Sequence, residues 1–356
     1  MHFIFLLTIC CISIIVHMQK IDADKKRKQE VIFIGITLFL FAALRDKSVG
    51  TDILGYCNNY KINSNYSFLE ILSGQNNYRD PFFQCFTRAL AYISDDPQIM
   101  LIVVGAWVAF SYSYFTYHSK GNVLITYLLF ICLRMYSFTL SGLRQAMAMG
   151  FVWIAFVFLM QNKKWRFLIF VLIASLFHAS AIAFLLAFPL IYIKEEKIVL
   201  VSTFFISLIN FVTGDKIVYY MSELLFSRRF EDYIDTAIET GTSFSTTFIL
   251  YILMLLIILL FFSKVKKQDE KAVGKFNLMC VGIMFSFIAQ GFPNMFRIAY
   301  YFIFNLFPLF SETITFSFNE KDRTVLNVIV PVLLIGQYLI MGTSAGTENY
   351  VFFWQG

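Results

Sequence analysis

The chain is a succession of apolar runs separated by short polar turns, and this pattern constrains it more than any other feature. Twelve runs stand out: Phe3–Met18, Val31–Leu44, Pro97–Tyr117, Val123–Phe138, Gly142–Met160, Phe167–Phe177, Ala179–Ile193, Ile198–Val212, Phe244–Phe262, Phe276–Gln290, Phe296–Phe310 and Val325–Met341. A helix of about 17–25 apolar residues crosses the hydrocarbon of a bilayer. Several runs fall short of that length. The two flanking His178 are the shortest, and a hairpin that dips partway or lies among other helices is expected there. Pro81–Ser94 carries Gln84 and Arg88 and reads as a re-entrant or interfacial helix. The first run resembles the apolar part of a signal peptide but lacks a basic stretch before it and a small-residue cleavage site, so a first span is expected.

Composition points the same way. Hydrophobic residues make up 58% of the 356 and charged residues 15%, against about 25% charged in ordinary globular chains. One core cannot hide that much apolar surface, because cores stop growing near about 250–300 residues. The fold class expected is all-α: a polytopic membrane protein of about 12 transmembrane helices, one integral membrane domain over residues 1–356.

The basic residues set the orientation. Lys20–Lys28 holds five Lys/Arg after the first run. By the positive-inside rule it is cytoplasmic, with the N-terminus outside. Alternation then puts His118–Lys120, Gln161–Arg166, Lys194–Lys197, Lys264–Lys275 and Asn319–Arg323 inside as well, and the C-terminus outside. These loops hold 18 of the 29 Lys/Arg, so the net charge of +6 reflects topology and no nucleic-acid partner is expected.

The kind of cation differs between the two sides. Inside, 15 of the 18 are Lys; of the other 11, eight are Arg: Arg45, Arg79, Arg88, Arg134, Arg144, Arg228, Arg229 and Arg297. Topology needs only charge, whereas Arg adds a planar fork that grips phosphate or carboxylate through two bonds. Arginine near hydrocarbon is by default a functional candidate; the alternative is snorkelling to headgroups or pairing with Asp46, Asp52 or Glu312.

Chemistry is expected from span ends and two external loops, 45–96 and 214–243, that cover the active site. The second contains an amphipathic stretch with Arg228-Arg229 that suits a surface helix or lid. A third, shorter turn, Gly291-Phe292-Pro293-Asn294, leads into Arg297. No nucleotide loop, zinc-protease or serine-hydrolase motif is present. The six cysteines form no CxxC pair, and neither a metal site nor a disulfide framework is expected.

Three groups of residues carry the candidate chemistry. Arg144 opens a span within Ser141-Gly142-Leu143-Arg144-Gln145-Ala146. A cation there opposes the helix dipole, so local stability does not explain it. Together with free backbone N–H groups it makes a receptor for phosphate or pyrophosphate; the alternative is a salt bridge to a neighbouring span. His178 lies deep in apolar sequence, and either packs by hydrogen bonding or serves as a general base for a sugar hydroxyl. Arg45-Asp46 with Thr51-Asp52 sets two carboxylates near one guanidinium.

In order along the chain these residues form a pattern: Arg45 with Gly50-Thr51-Asp52, then Leu143-Arg144-Gln145-Ala146, a basic turn at Gln161–Arg166, Phe177-His178 with Ser180, and Arg297 with Tyr300-Tyr301. From about Val31 to Glu312 the pattern resembles the EpsG-like branch of the Wzy-type polysaccharide polymerases of bacteria. The resemblance implies a GT-C-like glycosyltransferase in the cytoplasmic membrane that joins oligosaccharide repeat units carried on undecaprenyl pyrophosphate at the outer face, for O-antigen or capsule. It implies no cofactor, no metal and no nucleotide sugar. Expected partners are the lipid-linked donor and acceptor, membrane lipid and a chain-length regulator protein.

In that role Arg144, Arg45 and Arg297 would hold the leaving pyrophosphate, with Arg79 as a further substrate contact. His178 would be the base, with Asp52 as its rival. Gln145, Asn294, Tyr300 and Tyr301 would orient sugars. Two other classes fit the same features: a flippase for the same lipid-linked sugar, and an outer-face glycan ligase. A flippase should show related halves and polar groups along a whole crossing path, whereas here the polar groups gather on one side.

Overall fold

A computed structural model describes residues 1–76, 80–213, 245–292, 295–342 and 345–355. Over the described residues each of the twelve apolar runs is mainly helical, with Val123–Phe138 and Phe296–Phe310 each broken into two helices. The helices are α1 (His2–Met18), α2 (Ala23–Ala43), α3 (Ile53–Asn63), α4 (Phe68–Leu72), α5 (Pro81–Leu90), α6 (Gln98–Tyr117), α7 (Val123–Cys132), α8 (Met135–Ser141), α9 (Leu143–Met160) and α10 (Lys164–Phe177). A 3-10 stretch, Ala179–Leu186, follows, then α11 (Ala187–Leu190), α12 (Glu196–Val212), α13 (Thr246–Gln268), α14 (Ala272–Ile288), α15 (Phe296–Ile303), α16 (Leu306–Ser317) and α17 (Glu320–Met341).

Among the described residues four helices, α6, α9, α13 and α17, are long and apolar enough to cross a membrane. A fifth span exists if α7 and α8, bent 57° at Leu133-Arg134, count as one. The protein is therefore an integral membrane protein. The sequence predicts about twelve crossings; the other helices are shorter or carry more charge. At 14 residues α10 is about 21 Å long, short of a core of about 30 Å, and α5 has only ten residues.

The chain divides into two compact units, Met1–Ile182 with Phe318–Gly356, and Ala183–Ser317. In the first, α9 is the most enclosed long helix, whereas α17 turns most of its surface outward. Side chains such as Leu333 and Ile340 on α17 are exposed, which suits lipid contact. Helices α2 and α6 approach closely through Gly105, where an added Cβ would lie 2.8 Å from that of Ala42; small residues allow such contact between membrane helices.

Polar segments gather at two ends of the first unit. At one end Arg27, from the basic Lys20–Lys28 turn, donates to the carbonyls of Thr116, Tyr117, Ser119 and Gly121. It thereby neutralises the negative terminus of α6. At the other end the N-terminus, residues 44–52, the α8–α9 junction and the C-terminal segment meet: His2 Nε2 lies 2.7 Å from the Thr347 carbonyl, Asp46 N donates to Val351 O and Phe353 N to Leu44 O. Trp165, beside Lys163, Lys164 and Arg166, and Trp354, near the C-terminus, are both exposed.

In the second unit, α12 and α15 pack on α14, and α13 on α16. One end gathers the basic turn 264–275. Lys264 donates to the Ser317 carbonyl, Lys266 pairs with Glu196, and Lys275 lies 2.7 Å from Glu312 and 2.9 Å from Asp269. Glu312, one of the acids considered as a partner for the outer arginines, thus meets a lysine of a predicted inside loop.

Candidate functional site

In the first unit α8 ends at Ser141 and α9 starts at Leu143, with Gly142 alone between them. The reversal throws Arg144, the second residue of α9, towards α3 and the start of α5. Its Nη1 lies 2.9 Å from Asp80 Oδ2, and its Nε donates to the Tyr56 hydroxyl at 3.3 Å. The guanidinium carbon stands 5.8 Å from the Tyr56 ring centre. A cation at a helix N-terminus is unfavourable by itself; the Asp80 carboxylate offsets that here. Arg144 is thus in the ion pair that was the alternative to anion binding, and its side chain remains 26% exposed.

His178 arrives from the opposite direction. Helix α10 packs antiparallel against α9 and stops at Phe177, because His178 turns to an extended conformation (φ −153°) before the 3-10 stretch. The break rests on rings: Phe177 packs edge-on to Phe82 and stacks on Phe151. His178 Nδ1 lies 3.4 Å from the same Asp80 oxygen that holds Arg144. The buried Nε2 has no hydrogen-bond partner among the described residues. A histidine whose one nitrogen faces a carboxylate and whose other is unengaged has the layout of a general base that the carboxylate can orient once it draws closer.

Asp80 joins the two. It precedes Pro81, the first residue of α5, and adopts the left-handed conformation (φ 55°, ψ 68°). Asp enters that region more readily than most residues, and sites that hold a non-glycine residue there are often functional. Burial by itself raises the Asp80 pKa. The hydrogen bond and charge of His178, the charge of Arg144 and the Ala179 backbone N–H together outweigh burial and leave the carboxyl below its usual value.

The Gly50-Thr51-Asp52 loop lies alongside. Thr51 Oγ1 and the Asp52 N–H meet Ser141 Oγ at 2.8 and 3.2 Å. Gly50 sits at φ 113°, where a Cβ would be 2.9 Å from the Leu140 carbonyl, so the loop seats flush against the α8–α9 turn. Its N–H and that of Thr51 bond Gly346 and Ala345 of the C-terminal segment.

The predicted residues therefore separate into groups. Arg144 and His178 converge. Gln145, beside Arg144 on α9, is buried, and Asp52 is exposed at the start of α3. Arg45 is fully buried and donates to Ala42 O at 2.6 Å and Leu140 O at 2.9 Å. Those carbonyls belong to the last turns of α2 and α8, where helix dipoles favour a cation, so Arg45 clamps two helix ends in this structure. In the second unit Arg297 is half-buried near the Phe296 ring, Tyr300 packs edge-on to Phe296, and Tyr301 is buried. Arg79, Asn294 and the loop 214–243, with Arg228 and Arg229, lie outside the described residues. Cys57 and Cys85, like the other four cysteines, are free thiols.

Residues 30–354 match the EpsG family. The chain belongs to the EpsG family. No curated protein and no solved structure matches. Within this EpsG-family chain, the Arg-Gln that opens α9 and the Phe-His at the end of α10 are two of the motifs on which the resemblance rested, and the fold brings them together. Sequence reasoning missed Asp80 and Tyr56. A signal for Asp80 was present: an aspartate directly before a proline marks a helix start, here between two expected site segments. Nothing local marks Tyr56 among the other tyrosines of that loop.

Proposed function

We propose that this EpsG-family protein is a polysaccharide polymerase of GT-C-like architecture with about twelve crossings. It would join undecaprenyl-pyrophosphate-linked repeat units at the outer face of the bacterial cytoplasmic membrane, for O-antigen or capsule. One observation carries the reading: Arg144 and His178, a phosphate-type cation and a base-type imidazole, converge on a single carboxylate at one end of a membrane bundle.

In the proposed step a hydroxyl of the acceptor's non-reducing sugar attacks the anomeric carbon of the donor chain. The new C–O bond forms as the bond from that carbon to the pyrophosphate oxygen breaks, and the electron pair leaves on the pyrophosphate. His178 Nε2 takes the hydroxyl proton, with Asp52 as the alternative base. Arg144 meets the charge that develops on the leaving group, the kind of stabilisation that usually contributes most. Arg297 and Arg79 are proposed for further anion contacts, and Gln145, Asn294, Tyr300 and Tyr301 for sugar contacts, whereas Arg45 is occupied by the carbonyls of Ala42 and Leu140. A chain-length regulator would act from outside this chain, and no metal is required by the step as written.

The test is the glycan profile of a strain lacking this chain, with and without complementation. Single-repeat glycolipid on the outer face, extended again by the wild type and not by R144A, is the expected result. Accumulation on the inner face would identify a flippase. A ligase would leave long lipid-linked chains that are never transferred to their final acceptor.

A further inference from the structure

We infer that Asp80 is a positioning residue that couples donor binding to base action, because one carboxylate oxygen is shared between the cation that would hold pyrophosphate and the imidazole that would take the proton. The inference rests on the polymerase reading and adds to it a residue and an order of events.

Asp80 Oδ2 faces Arg144 Nη1 at 2.9 Å and His178 Nδ1 at 3.4 Å. The first distance is that of a strong charge-assisted bond; the second lies beyond the usual range of an N–H···O bond, about 2.7–3.2 Å. In this arrangement the carboxylate favours the arginine over the histidine. A pyrophosphate offers Arg144 more negative charge and a better match to its planar fork than one carboxylate oxygen does. Binding it draws the guanidinium away from Asp80 Oδ2 and leaves that oxygen to shorten its contact with His178 Nδ1–H.

The backbone keeps the carboxylate in place during the exchange. Asp80 is fixed between a left-handed φ and the ring of Pro81, and α5, which Pro81 opens, packs on the end of α10 through Phe82 and Phe86 against Phe177. Asp80 is therefore held beside the break that carries His178. Once bonded to Asp80, Nδ1 keeps its hydrogen and Nε2 presents a lone pair. The anion then steadies the imidazolium that forms when Nε2 accepts the proton. Without donor, Asp80 is engaged by Arg144 and the base is poorly oriented, so the base is fully armed only when the leaving group is in place.

The experiment uses the full chain in lipid nanodiscs, with inorganic pyrophosphate as binding probe and lipid-linked repeat unit from the deletion strain as substrate. Asp80→Asn removes the competitor for Arg144 and the anion behind His178 in one isosteric change. The expected result is pyrophosphate binding at least as tight as in the wild type, with polymerisation at saturating donor lowered by roughly 100-fold or more, the range of a lost general base. A merely structural role would weaken binding and turnover together. Weaker pyrophosphate binding in D80N, or unchanged turnover, overturns the inference.

A second measurement needs no Asp80 variant. The chain has four histidines, His2, His17, His118 and His178, so 15N-histidine spectra are simple, and H178Q assigns the signal. Adding pyrophosphate should move His178 towards the Nδ1–H form in the wild type and leave it unmoved in R144Q. Pyrophosphate that binds through Arg144 without moving the His178 signal overturns the coupling alone. A wild type that binds no pyrophosphate overturns the polymerase reading, and the coupling with it.

Discussion

Asp80 Oδ2 and Arg144 Nη1 lie 2.9 Å apart across 64 residues of chain, and the same guanidinium reaches the Tyr56 hydroxyl through Nε. The pair needs the arginine's shape as well as its charge. Arg144→Ala should abolish long-chain polymer, a loss of at least roughly 100-fold, as for removal of one charge-stabilising donor. Arg144→Lys keeps the charge but cannot span both partners, and should retain a small part of the activity with shorter chains. Gel profiles of the glycan from complemented cells, normalised to protein level, check the order wild type, R144K, R144A.

The depressed Asp80 pKa has a consequence for stability. Its folded-state value lies below the usual carboxylate value of 3.8. The contribution of the ionised group is therefore present above that value and is lost as pH falls through the folded-state pKa. Thermal unfolding followed from neutral pH down into the carboxylate range should show a steeper fall for the wild type than for D80N. Parallel curves would mean that Asp80 is not ionised against Arg144 and His178.

Arg45 should behave as a structural residue. Its guanidinium is buried and engaged by the carbonyls of Ala42 and Leu140. Arg45→Met would leave those carbonyls buried without partners, at about 1–3 kcal/mol for each. Lower thermal stability and membrane yield are expected, with unchanged pyrophosphate affinity in the protein that folds. Calorimetry and unfolding midpoints on the same sample separate this outcome from loss of an anion contact.

Gly50→Ala should destabilise the protein by about 1–3 kcal/mol, the range for a residue forced into a sparsely populated conformation. At φ 113° the new Cβ would also crowd Ile53 Cγ1 at 2.8 Å and the Leu140 carbonyl at 2.9 Å. Protease sensitivity near residue 50, compared between variant and wild type, reports whether the loop has lifted off the α8–α9 turn.

Lys275 is buried against Glu312, which is wholly inaccessible, and Asp269. Lys275→Met leaves two buried carboxylates without their cation, and breaking such a pair typically costs about 3–5 kcal/mol. Adding Glu312→Gln should restore part of that loss by removing one of the stranded charges. Unfolding midpoints of the single and double variants give the comparison.

Much of the architecture could be read locally. A run of apolar residues between charged turns is helical wherever it occurs, because lipid and helix packing both require the backbone to bond within the segment. The break at His178 was likewise foreseeable from two short runs meeting at a polar residue, and the sorting of Arg27 and Arg45 to opposite ends of the first unit follows from strict alternation.

Which polar residues share a site was decided by packing. Sequence gives Arg45 and Arg144 the same standing, since both are arginines at span ends. The fold turns Arg45 inward onto the termini of α2 and α8, and lifts Arg144 to α3 and α5. Asp52 and Asp80 lie in the same polar loop, yet only Asp80 is carried to His178, by the left-handed turn before Pro81 and the antiparallel packing of α10 on α9. Chain composition and periodicity thus determined a helical membrane protein with polar groups sorted to two ends. Only the tertiary structure paired Asp80 with Arg144 and His178, because a contact across 64 or 98 residues depends on helix lengths and turn angles that no local pattern encodes.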